Sequence, residues 1–350
     1  MHPRLLKPRQ SVPKLFPYTR TMVTSTFQGL PVIPDEPYTT TSPRKIAQVV
    51  HAVEVEEGAG MRVRRSIGLS RLRNLTPFLM LDHFSSDFGG DADAGAPDHP
   101  HRGQETITYI LRGGVDHEDF AGNRGTLDAG DLQFMTAGRG IMHSEMPRED
   151  QAGQKMEGMQ LWVDLPRELK YCEPRYRDLK AAEVPIASAD EGKVKVKVIS
   201  GQAFGVQSPR DLSYTPVWYL DFSVKPGGSF QLPLPRGWNA FCYVLEGSIV
   251  IADGEEKRAC PQFSNTVFEQ DGDSVGVAAA ADAKEAARFI VVAGLPLDQP
   301  VVQYGPFVAT SREEVMQAVV DFQTGQNGFE RAVDWVSDNS TRSRRNSLAQ

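Results

Sequence analysis

The sequence predicts an all-β protein of two tandem jelly-roll-type barrels with a C-terminal helix packed on them. Three observations carry that expectation. Short β-branched and aromatic runs recur between glycine turns, the pattern returns after a constant interval, and one capped amphipathic segment follows the second copy. A chain of 350 residues is long enough for two domains of ordinary size.

The first barrel is read around residues 106–111, a β-branched and aromatic run closed by Gly113-Gly114, with turn signals at Gly122-Asn123 and Gly130-Asp131. Flanking this stretch are His99, Pro100 and His101 on one side and His143, Ser144 and Glu145 on the other. Side chains alternate along a strand, so His99 and His101 share a face, as do His143 and Glu145. Three imidazoles and a carboxylate form the ligand set of a non-haem metal centre, and two such strands leave coordination positions open for water or substrate. Glu105 is the competing carboxylate, and parity with His143 favours Glu145. None of the seven histidines lies beyond His143; His83 and His117 are read as packing or solvent-contact residues. Phe84, Phe134 and Met135 are candidate apolar wall or core residues.

The motifs Asp98-His-Pro-His-Arg-Gly103, Glu105-Thr-Ile-Thr-Tyr109, His117-Glu-Asp-Phe-Ala-Gly122 and Gly130-Asp-Leu-Gln-Phe-Met-Thr-Ala-Gly-Arg-Gly-Ile-Met-His-Ser-Glu-Met-Pro147 resemble those of the pirin family, within the cupin superfamily. The resemblance runs from about Lys45 through Trp335 and is densest over residues 98–147. It implies a bicupin whose metal ligands are His99, His101, His143 and Glu145, with iron (Fe2+/Fe3+) as the expected ion; other divalent metals suit the same ligands. In many other cupins the metal glutamate stands four residues after the second histidine, which is the place of Glu105. Two positions depart from the pirin pattern: Gln104, where many members carry an aromatic residue, and His83, where many carry an acid.

The second copy follows from an internal repeat. Arg102-Gly103 through Tyr109-Ile-Leu-Arg-Gly113 aligns with Arg236-Gly237 through Tyr243-Val-Leu-Glu-Gly247 at a constant offset of 134 residues. That alignment sets Pro233 and Pro235 where the first copy has His99 and His101, and proline offers no nitrogen donor to a metal. Strand-like runs at 217–224, 241–252 and 288–293, with a turn at Lys225-Pro-Gly-Gly228, complete this barrel, either as a scaffold or as a ligand or partner surface. Val315, Met316, Val319, Val320 and Phe322 then recur at helical spacing behind Ser311 and Glu314, a capping box. The expected division is an N-terminal extension over 1–44, a metal-binding cupin over 45–190, a cupin without metal ligands over 191–335 and a disordered tail over 336–350.

A net charge of −7 argues against a generalised nucleic-acid surface, and no stretch of about 18 apolar residues is present for a membrane span. Cys172, Cys242 and Cys260 form no metal or redox motif and fit a reducing compartment, cytoplasmic or nuclear. The first 34 residues carry five basic side chains and no acid, which resembles an organelle-import segment. Prolines at 3, 8, 13 and 17 work against an amphipathic helix there, and Met22 offers a second start. In the tail, Arg344-Arg-Asn-Ser347 has the spacing of a basophilic kinase site.

Two functions of different class follow. Resemblance to flavonol dioxygenases implies an oxygenase of the quercetin 2,3-dioxygenase type, with Glu145 or a neighbouring carboxylate taking the proton of a small aromatic substrate. Dioxygen adds, and the heterocycle opens with loss of carbon monoxide. The resemblance to pirin also implies a transcription coregulator whose docking surface senses the oxidation state of the iron, binding a transcription-factor partner as a monomer.

Overall fold

Three strands are mostly apolar on both alternating faces, Phe78–Ser85, Val217–Val224 and Asn239–Glu246, and nearly all of their residues are buried. A strand covered on one face only would alternate, so these must be covered on both. The computed structural model describes residues 42–57, 60–88, 94–148 and 155–341 and shows what covers them. Each barrel pairs a seven-stranded with a four-stranded antiparallel sheet.

In the first barrel the large sheet runs in the order Arg175–Leu179, Leu132–Thr136, Gln104–Arg112, Glu157–Asp164, Phe78–Ser85, Met61–Ile67 and Val53–Glu57. The small one runs Ala96–His101, Ile141–Pro147, Gly114–Asp119 and Arg124–Asp128. The second barrel repeats the plan. Its large sheet is Ile46–His51, Ser264–Phe268, Asn239–Glu246, Ala287–Gly294, Val217–Val224, Val194–Ser200 and Ile186–Ala189, and its small one Ser229–Pro233, Ser274–Ala278, Ser248–Asp253 and Glu256–Pro261.

One hydrophobic cluster draws on both large sheets, with Ile107, Tyr109, Leu161 and Phe78 from one and Val217, Tyr219, Phe241 and Ile290 from the other. Polar groups buried at this junction are paired across it. Tyr109 donates its hydroxyl to Asp221 at 2.7 Å, and Tyr243 lies 3.2 Å from His83 Nδ1. These two tyrosines are the repeat-equivalent positions, and each reaches into the opposite barrel.

Strand pairing draws the division of the chain less simply than 45–190 and 191–335. Ile46–His51 pairs with Ser264–Phe268, and Ile186–Ala189 with Val194–Ser200, so both belong to the second barrel's sheet. The run expected over 241–252 is two strands, because Gly247 adopts a left-handed φ of 72° and turns the chain. Inside the second barrel Phe222, Phe230 and Phe289 stack nearly parallel, with Phe222 and Phe230 centroids 4.5 Å apart. The residues that enter this core beside Pro233 are Leu232 and Leu234.

The C-terminal helix, α1, spans Arg312–Thr324 with Ser311 as N-cap, the reciprocal Ser311–Glu314 capping box and a left-handed Gly325 at its end. Met316 and Val320 face outward. The buried residues are Val315, as expected, with Ala318 and Asp321, and Arg102 Nη1 meets Asp321 at 2.7 Å and anchors the helix to the first barrel. Residues 337–341, assigned to the tail by sequence, bond back onto the small sheet through Asp98 and Glu118. The expectations for residues 1–41, import signal included, and for the basic motif at 344–347 lie outside the described residues.

Gly103 joins the strand Ala96–His101 to Gln104–Arg112 with φ of 77°, and a Cβ there would collide with the Val308 carbonyl of the neighbouring hairpin. Gly103→Ala is therefore expected to cost about 2 kcal/mol or more, read as a lower midpoint in urea denaturation.

Candidate metal centre

His99 and His101 end the strand Ala96–His101, and His143 stands directly opposite His99 on the antiparallel neighbour Ile141–Pro147. Their ring centroids are 4.3 to 5.0 Å apart, and one nitrogen from each lies within 4.8 Å of the others. His101 and His143 are almost wholly buried.

The hydrogen bonds around the rings show where the lone pairs point. His99 Nδ1 lies 2.8 Å from the Pro97 carbonyl, which only accepts, so Nδ1 carries the proton and Nε2 is a free lone pair. That Nε2 faces His143 Nε2 at 2.9 Å. Two lone pairs at this separation repel; the contact stands only with a proton or a metal cation between them. Two ring nitrogens bound at about 2.1 Å and at right angles to one ion are about 3.0 Å apart, so the residues present fit a metal. His101 Nε2 is buried with no hydrogen-bond partner, as a ligand atom awaiting an ion is. Burial first, and then the closeness of the other imidazoles, which makes a further positive charge unfavourable, hold the His101 and His143 rings well below the usual histidine range and keep them neutral.

Glu145 lies outside this three-histidine cluster but lines the same cavity. Its Oε1 accepts from Thr108 Oγ1 at 3.0 Å and its Oε2 from Gln160 Nε2 at 3.1 Å. The orientation of Gln160 is fixed in turn, because Trp162 Nε1, which can only donate, gives its hydrogen to Gln160 Oε1 at 2.8 Å. Trp162 also stands edge-to-face with His101, centroids 5.0 Å apart. Gln160 and Trp162 belong to no motif, and Thr108 stands in the Glu105–Tyr109 motif with no role assigned to it there; the parity of their strands is the signal that faces them to the site.

Glu105 points elsewhere. Its carboxylate accepts from Thr136 Oγ1 at 2.7 Å and from the backbone N–H groups of Tyr214 and Thr215 at 3.0 Å, and burial raises its pKa despite those bonds. His117 stacks on Tyr176 and approaches Asp178 at 3.3 Å, while His83 contacts Glu157 at 2.8 Å. Neither joins the cluster.

A cavity of about 590 Å³ opens onto His99 and His101, within the usual range for small-molecule sites. Phe84, Met61, Val63 and Met80 supply apolar wall, and Arg65, held by Asp82 through two hydrogen bonds of 2.7 and 2.6 Å, supplies a polar one. Phe134 and Met135 are core residues.

Comparison with known proteins agrees with this architecture. Residues 60–163 match the Pirin family model and residues 219–328 the pirin C-terminal cupin domain. Human pirin is 45% identical over 300 residues, which cover 85% of this chain and 98% of that protein. A pirin-like protein of Solanum lycopersicum is 44% identical, over 84% of this chain and 97% of its own length. Among solved structures, a quercetin 2,3-dioxygenase from Acinetobacter baumannii superposes with a TM-score of 0.73 at 29% identity, covering 81% of this chain and 98% of its own. GK1651 from Geobacillus kaustophilus gives 0.64 at 30%, covering 75% of this chain and all of its own. With two cupin barrels, three convergent histidines in the first and relatives matched over almost their whole length, the chain belongs to the pirin family.

Proposed function

We propose that the chain is a non-haem iron oxygenase of the quercetin 2,3-dioxygenase type, acting on flavonols through His99, His101, His143 and Glu145. The observation that carries this reading is the pair of facing Nε2 atoms of His99 and His143, with His99 and His101 lining a cavity large enough for a three-ring aromatic. The likeness to the Acinetobacter baumannii quercetin 2,3-dioxygenase supports the same reaction class.

Bound by these four residues, iron supplies Lewis acidity toward a phenolic hydroxyl and an electron path to dioxygen. The remaining work falls to the side chains. Glu145 keeps spare lone pairs beyond its bonds to Thr108 and Gln160, so it takes the proton of the flavonol 3-hydroxyl. Phe84, Met61, Val63 and Met80 hold the rings and exclude water from the reacting face. Trp162, through Gln160, keeps the Glu145 carboxylate turned to the cavity.

His101→Ala is expected to lose most bound metal by elemental analysis while circular dichroism shows both barrels still folded; full metal occupancy in that variant defeats the site. The pH dependence of the metal-free protein follows from the lowered pKa values of His101 and His143. Below about pH 6.5 the unfolded chain protonates these rings and the folded chain does not, so stability falls with falling pH, by about 1.4 kcal/mol per pH unit for each ring. Urea titrations between pH 7.5 and 5.5 measure this slope, and His143→Ala should remove one ring's share of it. The activity itself is tested by oxygen consumption on adding quercetin to the anaerobically iron-loaded protein. Rapid uptake abolished by His143→Ala is expected; iron bound with quercetin untouched instead favours a redox-controlled docking module.

A further inference from the structure

Gln104 opens the strand Gln104–Arg112 and is fully buried, and its side-chain amide lies 2.7 Å from His101 Nδ1. Its backbone carbonyl is engaged by the Ala137 N–H at 2.9 Å, so the residue is anchored beside the ring. In the orientation found, the amide nitrogen faces Nδ1 and Oε1 is buried without a donor. That arrangement requires Nδ1 to accept and leaves the His101 proton on Nε2. There it is a buried donor with no acceptor, on the ring that stands beside His99 and His143.

Turning the amide over by half a revolution about its terminal torsion presents Oε1 to Nδ1 instead. The proton then sits in a hydrogen bond and Nε2 offers its lone pair. His99 already has this arrangement, with the Pro97 carbonyl accepting from its Nδ1. His143 does not, since its Nδ1 is buried without a partner.

We infer that Gln104 is a positioning residue of the centre, whose amide oxygen accepts the Nδ1–H of His101 and so holds the ring in the tautomer that can bind a metal. The inference rests on the reading of His101 as a ligand. It assigns a role to the one residue beside the ligand strand at which this chain departs from the pirin pattern. A neutral acceptor next to a ligating imidazole fixes both its tautomer and its orientation, and loss of such a partner typically weakens metal binding about 10- to 100-fold.

The test uses the full chain. In metal-free protein with 15N-labelled histidine, long-range proton–nitrogen NMR reports which ring nitrogen of His101 carries the hydrogen, before any ion can dictate it. Competition against a chelator then measures Zn2+ affinity for the wild type, Gln104→Met, Gln104→Glu and His101→Ala. The expected result is a proton on Nδ1 in the wild type, Zn2+ binding about 10- to 100-fold weaker in Gln104→Met, and recovery in Gln104→Glu, whose carboxylate also accepts. A proton on Nε2, or wild-type affinity in Gln104→Met alongside lost affinity in His101→Ala, overturns the inference and leaves the metal centre standing. Undiminished Zn2+ binding in His101→Ala overturns both. Should Gln104→Met fail to fold, judged by circular dichroism, the wild-type tautomer and the affinity of Gln104→Glu decide: Gln104→Glu weakened more than 10-fold counts against the inference.

Discussion

The packing of the two large sheets face to face is the constraint on which the rest of the molecule depends. It commits one side of each seven-stranded sheet to the junction and leaves the other side facing its own barrel's interior. Strand alternation then sorts neighbouring residues between two tasks. On Gln104–Arg112, Gln104 meets His101 and Thr108 meets Glu145, whereas Tyr109 bonds Asp221 across the junction and Glu105 bonds backbone N–H groups of Tyr214 and Thr215. On Glu157–Asp164, Gln160 and Trp162 serve the site while Met159 and Leu161 enter the shared core. The same parity argues for Glu145 over Glu105: a carboxylate adjacent to Gln104 must face away from whatever Gln104 faces.

The two barrels share a strand plan and differ in what fills them. A large apolar side chain fully buried contributes about 1.5 to 3 kcal/mol relative to exposure, and the second barrel invests its interior in such residues: Phe222 and Phe289, with Leu232, Leu234 and Trp238 around them and the half-buried Phe230 stacked against the two rings. The first barrel gives up that burial for a cavity with His99, His101 and Glu145 on its wall and His143 beside the first two. Because the junction joins the barrels through one core, the filled barrel stabilises the frame in which the hollow one is held open.

Much of the site was legible because its signals are local. The closeness of His99 and His101 needs only the alternation of one strand, and the capping box at Ser311 and Glu314 needs only one turn of helix. What was illegible depends on long-range partners. Nothing in residues 46–51 states that their edge will pair with Ser264–Phe268 rather than with the first barrel. Of the five apolar residues through which the helix was read, Val315, Val319 and Phe322 pack inward but Met316 and Val320 face solvent, since the anchor is a carboxylate, Asp321, made buriable by Arg102, Gln317 and Asn327. Periodicity of apolar residues cannot reveal a buried charge whose partner lies two hundred positions away. The bonds that aim Glu145, from Thr108, Gln160 and Trp162, were hidden for the same reason.

The centre also ties its chemistry to the stability of the fold. Without an ion, His99 and His143 must share a proton across 2.9 Å, His101 keeps a buried nitrogen unpaired, and two of the three rings are held neutral against their usual tendency to charge. Each is a cost to the folded chain that a bound cation removes, because it accepts all the lone pairs at once. An ion bound to the folded and not the unfolded chain therefore adds stability in proportion to the logarithm of its concentration over its dissociation constant. The arrangement that leaves the cavity open beside the histidines is thus also the one in which the first barrel would gain most from binding a cation.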